Sequence, residues 1–171
     1  TTSDPKKGWT LLSRIPHFHD ASLFFDDDGK AYIFYGTGQL RELKPDLSGV
    51  MPGGVDMKIF ERDKEENALL EGSRVIKHDG KYYLSYHTKY GNKIDKNHPD
   101  DPNRKPSELA YSVGDSPMGP FKYGGVMNYE LGVGVKNGPK LPGYDYVPWR
   151  LTQSNHGGIV EYHGQEYLFY H

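Results

Sequence analysis

Cysteine is absent from the 171 residues, which excludes disulfides and thiolate metal sites and is compatible with cytosol, periplasm or extracellular space. A basic excess is missing too: 21 Lys and Arg stand against 23 Asp and Glu, a net charge of -2. Nothing therefore neutralises a run of phosphates, and no nucleic-acid partner is expected. No apolar run approaches membrane-spanning length, so no membrane partner is expected, and the residues from Thr1 do not read as a signal peptide. The eight His are scattered rather than clustered.

What the chain has in quantity is Tyr, Gly and Pro, at 14, 21 and 12 residues, a composition that suits short strands joined by turns. The stretch "FHDASLFFDDDGKAYIFYG" (18–36) shows the pattern. Two aromatic and β-branched runs, Leu23–Phe25 and Ala31–Tyr35, flank Asp26, Asp27, Asp28 and Gly29. An Asp-Gly step between such runs signals a hairpin, because the turn needs positive φ and tolerates short polar side chains. Those three acids are accounted for as turn residues, and Asp20 is not.

A repeat gives Asp20 its meaning. "SLFFDDDGKAYIFYG" (22–36), "SRVIKHDGKYYLSYH" (73–87) and "GGIVEYHGQEYLFYH" (157–171) superimpose without a gap. Each reads as an apolar strand, a turn ending in Gly29, Gly80 or Gly164, and a second strand with aromatics at both parities. Aromatics at both parities mean that both faces of the sheet are covered. Antiparallel hairpins repeated and buried on both faces predict an all-β fold, a β-propeller in which each blade is packed between its neighbours.

A second repeat marks the blade ends, "PKKGW" (5–9) matching "PMGPF" (117–121). The content reads as one outer strand near Trp9–Ser13, two whole four-stranded blades and half of another. A propeller closes with at least about four blades, so residues 1–171 are expected to be about three blades of a single propeller domain, with further blades elsewhere in the polypeptide. Two insertions interrupt the pattern. The stretch 89–107 is polar and belongs at the surface. The stretch 132–153 either packs on itself or presents Trp149, with Tyr144 and Tyr146, to a sugar.

Asp20 lies nine residues before Gly29 (29 − 20), and Glu71 nine before Gly80 (80 − 71). Asn155 holds the same register before Gly164, with His156 beside it. The three repeats thus present Asp, Glu and Asn-His where each blade's first strand starts, and in a propeller those starts converge on the axis. An acid at a strand start is usually solvated or capping. Equivalent placement in successive repeats points instead to two carboxylates facing one cavity, the raw material of glycoside hydrolysis.

At these residues the sequence resembles glycoside hydrolase family 43. "HDASLFFDDDGKAYIFYG", "LLEGSRVIKHDGKYYLSYH", "ELAYSVGDSPMGPFK" and "NHGGIVEYHGQEYLFYH" are similar to its successive motifs, over nearly the whole chain outside the two insertions. The family usually reads Asp-Pro and Glu-Gly-Pro at the two acids, where this chain has Asp20-Ala21 and Glu71-Gly72-Ser73. The resemblance implies a five-bladed β-propeller and an inverting hydrolase that removes xylosyl or arabinosyl residues from oligosaccharides or polysaccharides. It implies Glu71 as general acid and Asp20 as the carboxylate that keeps it protonated and oriented, since like charges held close disfavour double ionisation. It puts His19 beside the sugar and His156 on the axis, where the family often holds a structural calcium; a hydrogen-bonded core imidazole is the alternative for His156. An extracellular or periplasmic location is expected with it. The remaining histidines read as surface or turn residues.

Inversion also needs a general base, which the family takes from an Asp-Pro early in its first blade. Asp4-Pro5 is not that residue, because its repeat partner places it in an outer turn, so the base is expected upstream of Thr1. Two other classes stand beside the hydrolase: a carbohydrate-binding propeller without catalysis, which Ser73 would allow, and a purely structural propeller. Paired axial acids speak against the last, since a scaffold has no need of their repulsion.

Overall fold

The computed structural model describes residues 4, 6–11, 18–56, 59–60, 69–88, 108–129 and 156–170. Among them every regular element is a strand, and no helix is long and apolar enough to cross a membrane. The first sheet is an antiparallel meander of β1 (Ser22–Phe25), β2 (Ala31–Tyr35), β3 (Gln39–Glu42) and β4 (Val55–Asp56). The second contains β6 (Leu69–His78), β7 (Lys81–Thr88), β8 (Glu108–Gly114) and β9 (Phe121–Tyr129). The short β5 (Ile59–Phe60) joins its outer edge, parallel to β9. The third is the hairpin β10 (Gly157–Tyr162) and β11 (Gln165–Tyr170). These are two whole blades and half of a third. Of the outer strand expected near Trp9–Ser13, the described residues Trp9, Thr10 and Leu11 are irregular, with Trp9 and Leu11 strongly exposed.

The aromatics at both parities of β2 are explained by what lies on each side. Tyr32 and Phe34, with Leu40, meet Val75, Tyr82, Leu84, Tyr86, Ala110 and Phe121 of the second blade. Phe24 joins them edge-on to Tyr82, with ring centroids 5.9 Å apart. On the other face Ala31 and Ile33 pack with Leu43, Phe18, Leu47 and Val50. Burying apolar area on the first of these faces holds the two blades together, and the second face is covered by residues of the first blade itself.

The ungapped repeat conceals a difference in register. Phe24 faces Tyr32 in the first blade, whereas the equivalent Val75 faces Leu84, one residue further on. The turns are the cause. Asp79-Gly80 and His163-Gly164 are two-residue turns with φ positive at both positions, the mirror-type turns that suit twisted hairpins. In the first blade Asp26 and Lys30 close a three-residue loop in which only Gly29 has positive φ. The second blade recovers the lost residue by an irregularity between Glu71 and Arg74, with Gly72 at φ +67°, so that Glu71 again faces His87. Asp20 and Glu71 reach equivalent places by inserting one residue in different positions.

Asp26 is more than a turn residue. Its carboxylate is buried and accepts hydrogen bonds from Lys77 Nζ at 2.7 Å and from the Tyr82 hydroxyl at 2.6 Å. Asp27 adds a second ion pair to Lys77 at 3.0 Å. Burial pushes the Asp26 carboxyl up, but the hydrogen bonds from Lys77, Tyr82 and the Asp27 backbone N–H outweigh it and leave it below the usual carboxylate value. The first hairpin turn is thereby clamped to β6 and β7.

The third sheet is joined to the second by close backbone approach. A Cβ at Gly157 would lie 2.6 Å from Leu109 Cδ2 and 2.8 Å from the Phe169 carbonyl oxygen, so that position has no room for a side chain, and one at Gly158 would lie 2.7 Å from Arg74 Cδ. Glu166 pairs with His78 Nδ1 across the same seam at 2.9 Å.

Candidate active site

Asp20 stands just before β1 in a left-handed conformation, φ +49°, which Asp tolerates better than most residues. The segment is tied down next to it, where the Gly36 N–H donates to the His19 carbonyl at 2.8 Å. His19 Nε2 lies 3.1 Å from Asp20 Oδ2, with the imidazole largely in solvent. One atom each of His19, Asp20 and Glu71 lie within 4.8 Å of one another. The two carboxylates expected to share a cavity are therefore neighbours, although they come from different blades.

Glu71 sits in β6 at the bulge that Gly72 opens. Gly72 also makes room for His156, since a Cβ there would lie 3.1 Å from His156 Cδ2. The imidazole of His156, immediately before β10, places Nε2 at 2.9 Å from Glu71 Oε1, within hydrogen-bond distance. On the other side, the Ser22 hydroxyl donates to the Ser73 carbonyl at 2.5 Å, linking β1 to the bulge. Three blade starts thus converge on Glu71.

His87 corrects the expectation that the remaining histidines are surface or turn residues. That description suits His163, exposed in its turn, and the half-exposed His78. His87 is fully buried on β7, with Nδ1 4.0 Å from Glu71 Oε1 and its ring 5.9 Å from that of His156. Burial, and then the neighbouring His156, push its pKa down to about 4. It is a neutral imidazole behind the acid, and neither ring nitrogen has a hydrogen-bond partner among the described residues. Its signal was present in the repeat, where His87 and His171 follow Tyr86 and Tyr170 in the same register.

Asp20, Ser22, Arg74, His156, Phe169 and Tyr170 are among the residues that line a cavity of about 570 Å³ on this side of the sheets. Trp149, expected beside the sugar, lies outside the described residues. Asp4 organises its own turn: it accepts from the Lys6 N–H at 2.9 Å and pairs with Lys7 at 3.8 Å. Calcium takes six to eight oxygen ligands. The groups gathered at His156 are one carboxylate and a second imidazole, so the described residues alone fit that ion poorly, and no chemistry is routed through it.

The sequence profile of Glycosyl hydrolases family 43 matches residues 2–121. The arabinoxylan arabinofuranohydrolase of Paenibacillus polymyxa is 28% identical over 169 residues, covering 94% of this chain and 24% of its own. A β-xylosidase of Xylanibacter ruminicola is 30% identical, covering 89% of this chain and 48% of its own. Among solved structures, an α-L-arabinofuranosidase from Clostridium thermocellum superposes with a TM-score of 0.58 at 28% identity, over 90% of this chain and 41% of its own. The chain spans less than half the length of each of these proteins.

Proposed function

The chain belongs to glycosyl hydrolases family 43, and on that premise we propose that it carries the acid side of the active site of a glycosidase that releases arabinosyl or xylosyl residues from glycans. The observation that carries this reading is the approach of Asp20 and Glu71, from separate blades, to within 4.8 Å beside an open cavity. Glu71 is the general acid: it protonates the glycosidic oxygen as the bond to the anomeric carbon breaks, and the leaving sugar departs neutral. His156 engages Oε1, so the transferable proton falls to the other oxygen. Asp20, within 4.8 Å of Glu71 from the neighbouring blade, is placed to orient it. His19, exposed beside Asp20, is placed to contact the bound sugar.

Inversion completes the reaction. A water attacks the anomeric carbon from the face opposite Glu71, activated by a base roughly 6.5–9.5 Å from the acid. Among the described residues, Asp4 is held in its own turn and is not assigned that role. The chain spans 24% and 48% of the two relatives.

Leaving-group dependence in the complete enzyme tests the assignment. Glu71→Gln is expected to slow hydrolysis of unactivated oligosaccharides by roughly 10²–10⁴-fold and to affect an activated aryl glycoside far less, because its leaving group needs little protonation. Equal losses on both substrates would remove Glu71 from the acid role.

A further inference from the structure

Proton transfer makes no use of Arg74, yet the fold holds it on the wall of the same cavity as Asp20. It follows the Gly72 bulge by two residues, and opposite Ser85 it turns toward the third sheet. Its stem runs over Gly158: a Cβ at that position would lie 2.7 Å from Arg74 Cδ, 3.3 Å from Nε and 3.6 Å from a terminal guanidinium nitrogen. The missing side chain at 158 is what lets the guanidinium lie there. Arg74 is exposed, and among the described residues no carboxylate pairs with it. Of the residues lining the cavity it is the one with a permanent positive charge.

A cation beside Asp20 changes what the cavity can accept. Asp20 repels an anionic saccharide, and the Arg74 guanidinium offsets that repulsion at one position. A single guanidinium carries one charge, and its planar fork matches a carboxylate with two parallel N–H donors. Phe169 and Tyr170 belong to the same wall. We propose that Arg74 binds the carboxylate of an acidic sugar in the substrate, so that the enzyme favours glycans in which a uronosyl residue lies near the bond that is cleaved. This inference rests on reading the Asp20–Glu71 cavity as the substrate site.

The test uses a matched pair of probes: xylotriose with one glucuronosyl branch, and the same oligosaccharide with that carboxyl methyl-esterified. Binding is measured by calorimetry in the complete enzyme carrying Glu71→Gln, so that turnover does not interfere. The free acid is expected to bind roughly tenfold more tightly than the ester, the scale of one charge-assisted hydrogen-bonded contact. Adding Arg74→Gln should bring the ratio close to one, Arg74→Lys should retain part of it, and rising ionic strength should erode it. Equal binding of acid and ester by the protein with Arg74 intact, or binding of neither, would overturn the proposal even if the variants do not fold. A ratio that survives Arg74→Gln would do the same. Failure of Glu71 as the acid would appear in the leaving-group experiment and would leave this ratio unchanged, so the two readings fail separately.

Discussion

The His156 Nε2 lies at hydrogen-bond distance, 2.9 Å, from Glu71 Oε1, joining the start of the third blade to the bulge of the second. This contact engages one carboxyl oxygen of Glu71 and leaves the other for the substrate.

Removing that imidazole should disturb the acid without removing it. His156→Ala is expected to lower kcat on unactivated oligosaccharides by about 10- to 100-fold, less than loss of the acid itself. KM should change little, and the loss should shrink on an activated aryl glycoside. A variant that weakened KM alone would show that His156 holds substrate instead of orienting Glu71.

His87 makes stability depend on pH in a definite window. Its pKa of about 4 in the folded chain lies below the ordinary value of about 6.5, so between these values the unfolded state binds more protons. Stability should therefore fall as pH drops from about 6.5 to about 4, by up to about 3 kcal/mol from this residue. His87→Gln cannot titrate there and should lose that component in denaturant melts at pH 7 and pH 4.5. A pH dependence identical to that of the parent would show that His87 is charged or exposed in the fold.

Asp26 acts in a lower window and in the same direction, although here the folded state favours the charged form of the group. Its net lowered pKa means that its contribution is complete above the ordinary carboxylate value and is lost as pH falls through the folded value. Tyr82→Phe removes one donor from this buried carboxylate. It should cost roughly 2 kcal/mol at neutral pH and lower the melting temperature, without affecting leaving-group selectivity.

Residues 1–171 produced on their own should self-associate and should not turn over glycosides. Leu23 and Phe25 on β1 and Val160, Tyr162, Tyr167 and Phe169 on the third sheet leave apolar side chains exposed, and uncovered sheet surfaces and edges invite pairing with other chains. Sedimentation and an arabinosyl and xylosyl hydrolysis assay check both points. Robust hydrolysis by the pure 171-residue chain, abolished by Glu71→Gln, would show that it contains its own base.

The blades were legible in the sequence because strand period and turn chemistry are local. Aromatics at both parities of Ala31–Tyr35 required two covered faces, and the structure supplies both. The pairing of Asp20 with Glu71 was legible as well, since both lie nine residues before a turn glycine. His87 was not singled out, because its burial comes from strands that pack around it and its chemistry from Glu71 and His156 on other strands.

Sequence alone thus determined the hairpins, their order as blades and which carboxylates share a register. Only the tertiary structure decided where each blade holds its extra residue, in the loop closed by Asp26 and Lys30 for the first and at the Gly72 bulge for the second. It also decided that Asp26, read as a turn residue, clamps two blades through Lys77 and Tyr82. The reason is the range of the forces involved. A turn glycine acts on its immediate neighbours, whereas a ladder register and a buried ion pair depend on partners that folding alone brings together.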